Sequence, residues 1–269
     1  MCSSDLLARQ LATLDHLLQG RIVVNIISSE MPGEQLASAP RYTRTLEYMQ
    51  ALRTLLNGES LHAAGDFVHL DVDPPRLRTT SGTCPPLYFG GLSDDAREVA
   101  AAAADVYLMW PDTLDGVAAI IADMRQRAAA HGRTLRFGYR VHVVVRPTEA
   151  EARAAAEQLV AALDPEVGEA IRARSLDSTS VGVRAQAELR DASDPHGYIE
   201  PHLWTGIGRA RSGCGAAIVG DPQQVADKIR TYQSLGIDTF ILSGYPHRRE
   251  CERFAELVMP LLRDTTATP

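Results

Sequence analysis

Pro86-Leu87-Tyr88-Phe89-Gly90-Gly91-Leu92-Ser93 opens the stretch that decides the fold, because an Ala-rich run over 94–104 and then Val106-Tyr107-Leu108-Met109-Trp110 follow it directly. The first block reads as a short apolar strand ended by glycines. Ser93 stands where a helix N-cap is needed, and 94–104 is helix-forming. The second apolar block is again a strand. Leu114, Val117, Ile120, Ile121 and Met124 then recur at helical spacing, and Gly132 closes that helix. Residues 137–145 form a long strand, and Thr148 with Glu151 makes a capping box for a helix running to Leu163. Buried apolar strands that alternate with helices pair in parallel, so the chain is an α/β protein.

The same rhythm extends outward. Leucines at 7, 11, 14 and 18 form a helical stripe stopped by Gly20. Arg21-Ile22-Val23-Val24-Asn25-Ile26-Ile27 reads as a strand buried on both faces. A polar stretch over 28–40 leads to a helix over 41–56, and 66–72 alternates as a short exposed strand outside the main sheet. Downstream, 165–215 breaks the rhythm with one or two helices and a loop carrying Arg209, Arg211, Gly213 and Gly215. Asp221-Pro222 opens another helix, Thr239-Phe240-Ile241-Leu242 is the last strand, and a helix covers 249–262. A doubly wound open sheet and a (β/α)₈ barrel both fit. No G-x-G-x-x-G or G-x-x-x-x-G-K-[ST] sits between a strand and a helix, which weakens the nucleotide-binding open sheet.

Composition narrows the partners. The 269 residues are 45% apolar and 23% charged, ordinary for a globular protein with a sizeable core. A net charge of -7 argues against a nucleic-acid or anionic-membrane surface. No run approaches the roughly 18 apolar residues that cross a bilayer. Cys2, Cys84, Cys214 and Cys251 are spaced for neither a disulfide framework nor a zinc site, and no metal is expected. These features read as a reducing, cytoplasmic setting.

In a parallel barrel the chemistry gathers at the C-terminal ends of the strands. Those ends carry Asn25 and Ser28, Gly90-Gly91-Leu92-Ser93, Trp110, and Ser243-Gly244-Tyr245-Pro246-His247. Glycines leading into a helix let backbone N–H groups approach a phosphate, and Ser93 is either a plain cap or a phosphate ligand as well. Arg140 and His142 stand two apart on one strand and so face one side. Such groups are costly inside a barrel unless matched. Arg140 is either paired with a neighbouring carboxylate or reserved for an anionic substrate. Arg209 and Arg211, between glycine hinges, suit a lid over an anion or a solvated loop.

Residues 8–25 (A-R-Q-L-A-T-L-D-H-L-L-Q-G-R-I-V-V-N), 85–93 (P-P-L-Y-F-G-G-L-S), 129–142 (A-A-H-G-R-T-L-R-F-G-Y-R-V-H) and 241–247 (I-L-S-G-Y-P-H) together resemble the FMN-dependent alkanesulfonate monooxygenases of the bacterial luciferase-like superfamily. The resemblance implies a luciferase-like (β/α)₈ TIM barrel. It also implies reduced FMN from a separate NAD(P)H-dependent flavin reductase, and O₂-driven cleavage of an alkanesulfonate to aldehyde and sulfite. By position it assigns Arg140, His142 and Tyr245 to the active site, Trp110 to its wall and Arg211 to the lid. Asn25, Tyr42, Gly90, Gly91 and Ser93 fall where the flavin and its phosphate are held. A homo-oligomer is expected.

Departures are specific. Leu92 replaces a serine, Pro40 an acidic residue, and 28–40 is shorter than in the family. By the resemblance, about the first three strands of the family barrel are expected to be missing. The resemblance therefore implies a non-native leader over 1–6, an incomplete barrel over 7–264 with a helical and lid insertion at 165–215, and a tail at 265–269. Three rival readings stay open at this point: a flavin monooxygenase of a sulfone or alkane, a deazaflavin-dependent oxidoreductase, and a non-catalytic ligand-binding barrel fragment.

Overall fold

The computed structural model describes residues 3–28, 36–173, 180–210 and 213–263. Arg211, most of the 28–40 stretch and the 265–269 tail lie outside the described residues. The chain divides into two compact units, Met1–Leu108 with Met124–Arg136, and Met109–Asp123 with Phe137–Pro269.

The first unit begins with α1 (Ser3–Leu17), β1 (Val24–Asn25) and α2 (Ser38–Asn57). An antiparallel ribbon of β2 (Leu61–Ala64) and β3 (His69–Val72) stands apart from the main sheet, in keeping with the alternation over 66–72. β4 (Leu87–Phe89), α3 (Asp94–Ala103) and β5 (Val106–Met109) follow, and the end of α4 (Leu114–Ala130) returns to this unit. β4 pairs in parallel with both β1 and β5. Ala8, Leu11 and Ala12 of α1 bury against Ala51, Leu52, Leu55 and Leu56 of α2, with Leu61 and Val68 from the ribbon side. Asp105 ties β4 and α2 to the turn after α4: its carboxylate accepts from Leu87 N at 2.8 Å and pairs with Arg53 at 2.9 Å and Arg133 at 3.5 Å.

The strand expected over 21–27 shrinks to two residues. Only Val24 and Asn25 pair, with Leu87 and Tyr88, and Val23 and Ile27 are 51% and 74% exposed. An apolar run predicts burial on both faces only when the sheet and its helices cover both.

Glu47 of α2 holds the ribbon. Its carboxylate accepts from the backbone N–H groups of Asp66, Phe67 and Val68 at 2.8–2.9 Å. Burial pushes its pKa up, but these three bonds outweigh burial and hold it below the ordinary 4.5. A lowered folded pKa gives stability that is present above the unfolded value and is lost as pH falls through the folded one. Glu47→Gln is therefore expected to cost about 1–3 kcal/mol at neutral pH. In paired urea titrations the gap to the parent should close on acidification below about pH 4.5; a pH-independent gap sinks this account.

The second unit is built on β6 (Arg136–Val145). After it come α5 (Glu149–Val160), α6 (Pro165–Ala173), α7 (Val181–Asp191), β7 (Tyr198–Glu200), β8 (Leu203–Trp204) and a 3₁₀ turn at Gly206–Arg209. β9 (Ala217–Gly220), α8 (Pro222–Leu235), β10 (Ile237–Ser243), α9 (His247–Leu257) and α10 (Met259–Arg263) complete it. β6 pairs in parallel with β10 from Phe137 to His142 and with β9 from His142 to Val145. β8 and β7 extend β9 in antiparallel order. Thr148 and Glu151 form the expected capping box, and Asp221 with Gln224 forms another. Val144, Ala217 and Val219 pack on Ala152, Ala156 and Val160 of α5, with Trp204 and Ile207 closing the cluster.

The stretch over 165–215 holds more than the expected helices and loop, since 198–204 is a strand pair, and Ala217–Gly220, for which no element was expected, is the buried strand β9. The helix expected over 249–262 starts at His247 and breaks at Val258, ahead of Pro260, which has no N–H to continue the ladder.

Candidate active site

In the first unit β4 runs straight into the glycines. Gly90 lies so close to β5 that a Cβ there would stand 1.9 Å from the Leu108 carbonyl oxygen. Gly91 has φ +153°, and its Cβ would lie 2.7 Å from that of Ala96 and 3.7 Å from the Tyr42 hydroxyl. Glycine alone fits both places. The Tyr107 hydroxyl donates to Gly91 O at 2.7 Å and pins this turn. Tyr42 packs edge-on against Phe89, 6.4 Å between centroids. Asn25, exposed, lies one strand over, opposite Tyr88.

Ser93 is the N-cap of α3, accepting from Ala96 N at 3.3 Å, and its hydroxyl proton remains to be donated elsewhere. The two acids behind it are turned to other partners: Asp94 pairs with Arg127 at 2.9 Å and Asp95 accepts from Ser38. The structure thus gathers Tyr42, Gly90, Gly91 and Ser93 at the N-terminus of a ten-residue helix. A glycine turn that no Cβ can enter, a hydroxyl and free helix N–H groups are a donor set that fits the phosphate of a flavin.

In the second unit β6 and β10 set the other group of residues. Ile241 lies beside Arg140 and Ser243 beside His142 in the parallel register. His142 is buried at 1% exposure, and its Nδ1 lies 2.9 Å from Ser243 Oγ. The rings of His142 and Tyr245 are 5.5 Å apart, and His247 meets the Tyr245 ring edge-on at 4.9 Å. Gly244 brings the strand end against β6, since a Cβ there would lie 3.1 Å from Val143 O and 2.6 Å from Glu250 Cβ. Below it, Glu250 of α9 binds Arg146 through two 3.0 Å contacts and also accepts from Arg253. Arg140 is half-buried, and among the described residues no carboxylate pairs with its guanidinium. Its carbonyl accepts from the buried Cys214 thiol at 3.3 Å.

Trp110, half-buried, begins a segment whose main chain is held from several sides. Gln186 of α7 donates to Pro111 O at 2.7 Å. The Tyr139 and Tyr232 hydroxyls, rings stacked at 4.4 Å, lie 3.4 and 3.3 Å from Asp112 O. Leu114 N donates to Glu200 at 3.1 Å, and Glu200 is paired with the buried Lys228. Burial holds both phenols well above their ordinary pKa, so they stay protonated donors. Burial, with the Glu200 charge beside it, also pushes the Asp112 carboxyl up. Away from these groups, burial raises Cys84 to about 11, as expected of an inert thiol. Among the described residues no three His, Cys, Asp or Glu side chains gather as a metal site.

Ser243, His247 and Gln186 received no role from the sequence. Ser243 and His247 sit inside the quoted 241–247 motif, but their contacts depend on strand register and on the turn after β10. Gln186 is an unmarked position in a helix.

The chain matches the luciferase-like monooxygenase family over residues 5–239. It is 62% identical over 261 residues to a sulfoquinovose monooxygenase of Novosphingobium aromaticivorans, covering 94% of this chain and 72% of that protein. It is 51% identical to a sulfoquinovose monooxygenase of Agrobacterium fabrum, covering 96% and 68%. Among solved structures it resembles EDTA monooxygenase from a Chelativorans species, with TM-score 0.77, 21% identity, and coverage of 99% of this chain and 71% of that one. It also resembles a long-chain alkane monooxygenase, with TM-score 0.72, 22% identity, and coverage of 99% and 68%. The chain therefore belongs to the luciferase-like monooxygenase family and has that family's TIM-barrel type of fold.

Proposed function

We propose that this chain is a reduced-FMN-dependent monooxygenase that breaks the carbon–sulfur bond of an organosulfonate. The observation that carries this reading is the half-buried Arg140 guanidinium, without a carboxylate among the described residues and two positions from His142 on the same strand. A fixed cation in that state suits a sulfonate, whose oxygens accept two parallel N–H bonds from its fork. The two relatives quoted above act, by name, on sulfoquinovose, a sugar sulfonate. That makes a sugar sulfonate a better first substrate than the simple alkanesulfonate suggested by the sequence motifs.

In the overall reaction, two electrons from reduced FMN reduce O₂, one oxygen becomes the aldehyde carbonyl, the other leaves as water, and sulfite departs with the broken C–S bond. The remaining work belongs to the chain. Arg140 binds the sulfonate, and Arg211 is assigned as a second cation on it. Tyr245 and His142 hold and move the proton at the reacting carbon, with Ser243 fixing the imidazole through Nδ1. Trp110 forms a wall that orients the substrate and excludes water. Asn25, Tyr42, Gly90, Gly91 and Ser93 hold the flavin, the last three around its phosphate. A separate NAD(P)H-dependent reductase supplies the reduced flavin, and the protein works as a homo-oligomer.

Coupled to a flavin reductase in air, the protein is expected to release sulfite from sulfoquinovose faster than from octanesulfonate. Oxidation of a sulfone or long-chain alkane with no sulfite from either sulfonate would overturn the assignment. Gly91→Val forces a side chain onto Ala96 in a backbone region that favours glycine. Its affinity for reduced FMN is expected to fall by at least about tenfold in anaerobic titration, because a phosphate contact of about 1.5–3 kcal/mol is displaced. Ser243→Ala removes the hydroxyl that fixes the His142 imidazole through Nδ1, and kcat is expected to fall about five- to tenfold with KM nearly unchanged. An unaltered kcat removes Ser243 from the proton-handling set.

A further inference from the structure

We propose that Gln186 is a positioning residue that sets the Trp110 wall by bridging the segment after β5 to the segment before β9. The proposal rests on the reading of Trp110 as a substrate contact.

α7 begins at Ser180, whose Oγ caps the helix by accepting from Val183 N at 3.1 Å. Gly182, in the first turn, lies against the indole: a Cβ there would stand 3.0 Å from Trp110 Cζ3 and 3.3 Å from Cε3. One turn later, on the same face, comes Gln186, buried at 8% exposure. Its Nε2 donates to Pro111 O at 2.7 Å, next to Trp110. Its Oε1 accepts from Gly215 N at 3.0 Å. Gly215 follows Cys214, whose thiol donates to the carbonyl of Arg140. A single amide thus ties together two stretches of main chain that each adjoin an assigned site residue.

The side-chain chemistry is restrictive. A carboxamide offers a donor and an acceptor from one planar end, whereas a carboxylate would set an anion against the Pro111 carbonyl. Losing the amide leaves a buried carbonyl and a buried N–H without their partner, and the main chain shifts to recover them. Because the indole leaves no room for even a methyl group at Gly182, that shift is carried into the Trp110 ring rather than absorbed by a void.

Gln186→Met keeps the volume and removes both bonds. KM for the sulfonate is expected to rise about tenfold while kcat moves less than about threefold, the pattern of lost uniform binding. Acrylamide quenching of Trp110 fluorescence, isolated in a Trp204→Phe background, is expected to rise about twofold as the indole loosens. Gly182→Ala keeps both bonds but pushes the indole, and is expected to raise KM as well. Unchanged Trp110 quenching in folded Gln186→Met overturns the proposal, whatever the substrate proves to be. If Gln186→Met does not fold, the same quenching and KM measurements are made on Gln186→Glu, which keeps the shape and the acceptor but not the donor. A rise in both supports the proposal there, and unchanged quenching overturns it. Failure of the parent protein to turn over any sulfonate refutes the functional reading instead, and the quenching result then decides on Gln186 alone.

Discussion

An Arg140→Met enzyme is expected to lose about a thousandfold in kcat/KM for sulfite release, about 4 kcal/mol, while binding reduced FMN as tightly as the parent. The size follows from the setting. Arg140 projects from the middle of β6, half-buried, and among the described residues no carboxylate competes for its guanidinium. A sulfonate bound to it as proposed would be held in a partly dry place, where charge-assisted bonds are stronger than on a wet surface. Arg140→Lys keeps the charge and loses the planar fork, so a loss of only about tenfold is expected. The flavin titration separates this from general damage. A methionine variant that releases sulfite within threefold of the parent removes Arg140 from substrate binding.

Glu250→Ala is expected to destabilise the second unit by about 3 kcal/mol, read as a lower urea midpoint. Glu250 is 5% exposed and holds Arg146, 19% exposed, through two 3.0 Å contacts. Removing the carboxylate leaves a partly buried guanidinium at the end of β6 without its ionic partner, which costs more than the pair itself contributes. The Glu250 stem also lies where a Gly244 Cβ would be, one residue before Tyr245. Activity should therefore fall even at temperatures where the variant is folded. An unchanged midpoint would mean that Arg146 finds equivalent partners at no cost.

The architecture was legible where its causes were local. Strands and helices over 86–163 followed from apolar runs, Ser93, Gly132 and the Thr148–Glu151 box, all set by neighbours in sequence. Arg140 and His142 were legible as a pair because residues two apart on a strand share a face. β9 was hidden because Ala217–Gly220 is four residues long, bounded by small residues, and stabilised by partners at 142–145 and 203–204. β1 was overread for a related reason, since its apolar run says nothing about which neighbours flank it. Ser243, His247 and Gln186 needed the register, the turn and the helix packing before any role could be read. The chemistry of the candidate site residues was carried by residue types, and the devices that hold each group in place were carried by tertiary contacts.

The segment that starts at Trp110 is fastened at Pro111 O, Asp112 O and Leu114 N, so what Gln186, Tyr139, Tyr232 and Glu200 grip is peptide rather than side chain. The wall proposed for Trp110, secured in this way, can change its tiles without moving its frame. Substitution at position 110 should retune which sulfonate is accepted while the loop keeps its course, which gives both natural divergence and laboratory selection a route to new substrates at little cost in folding.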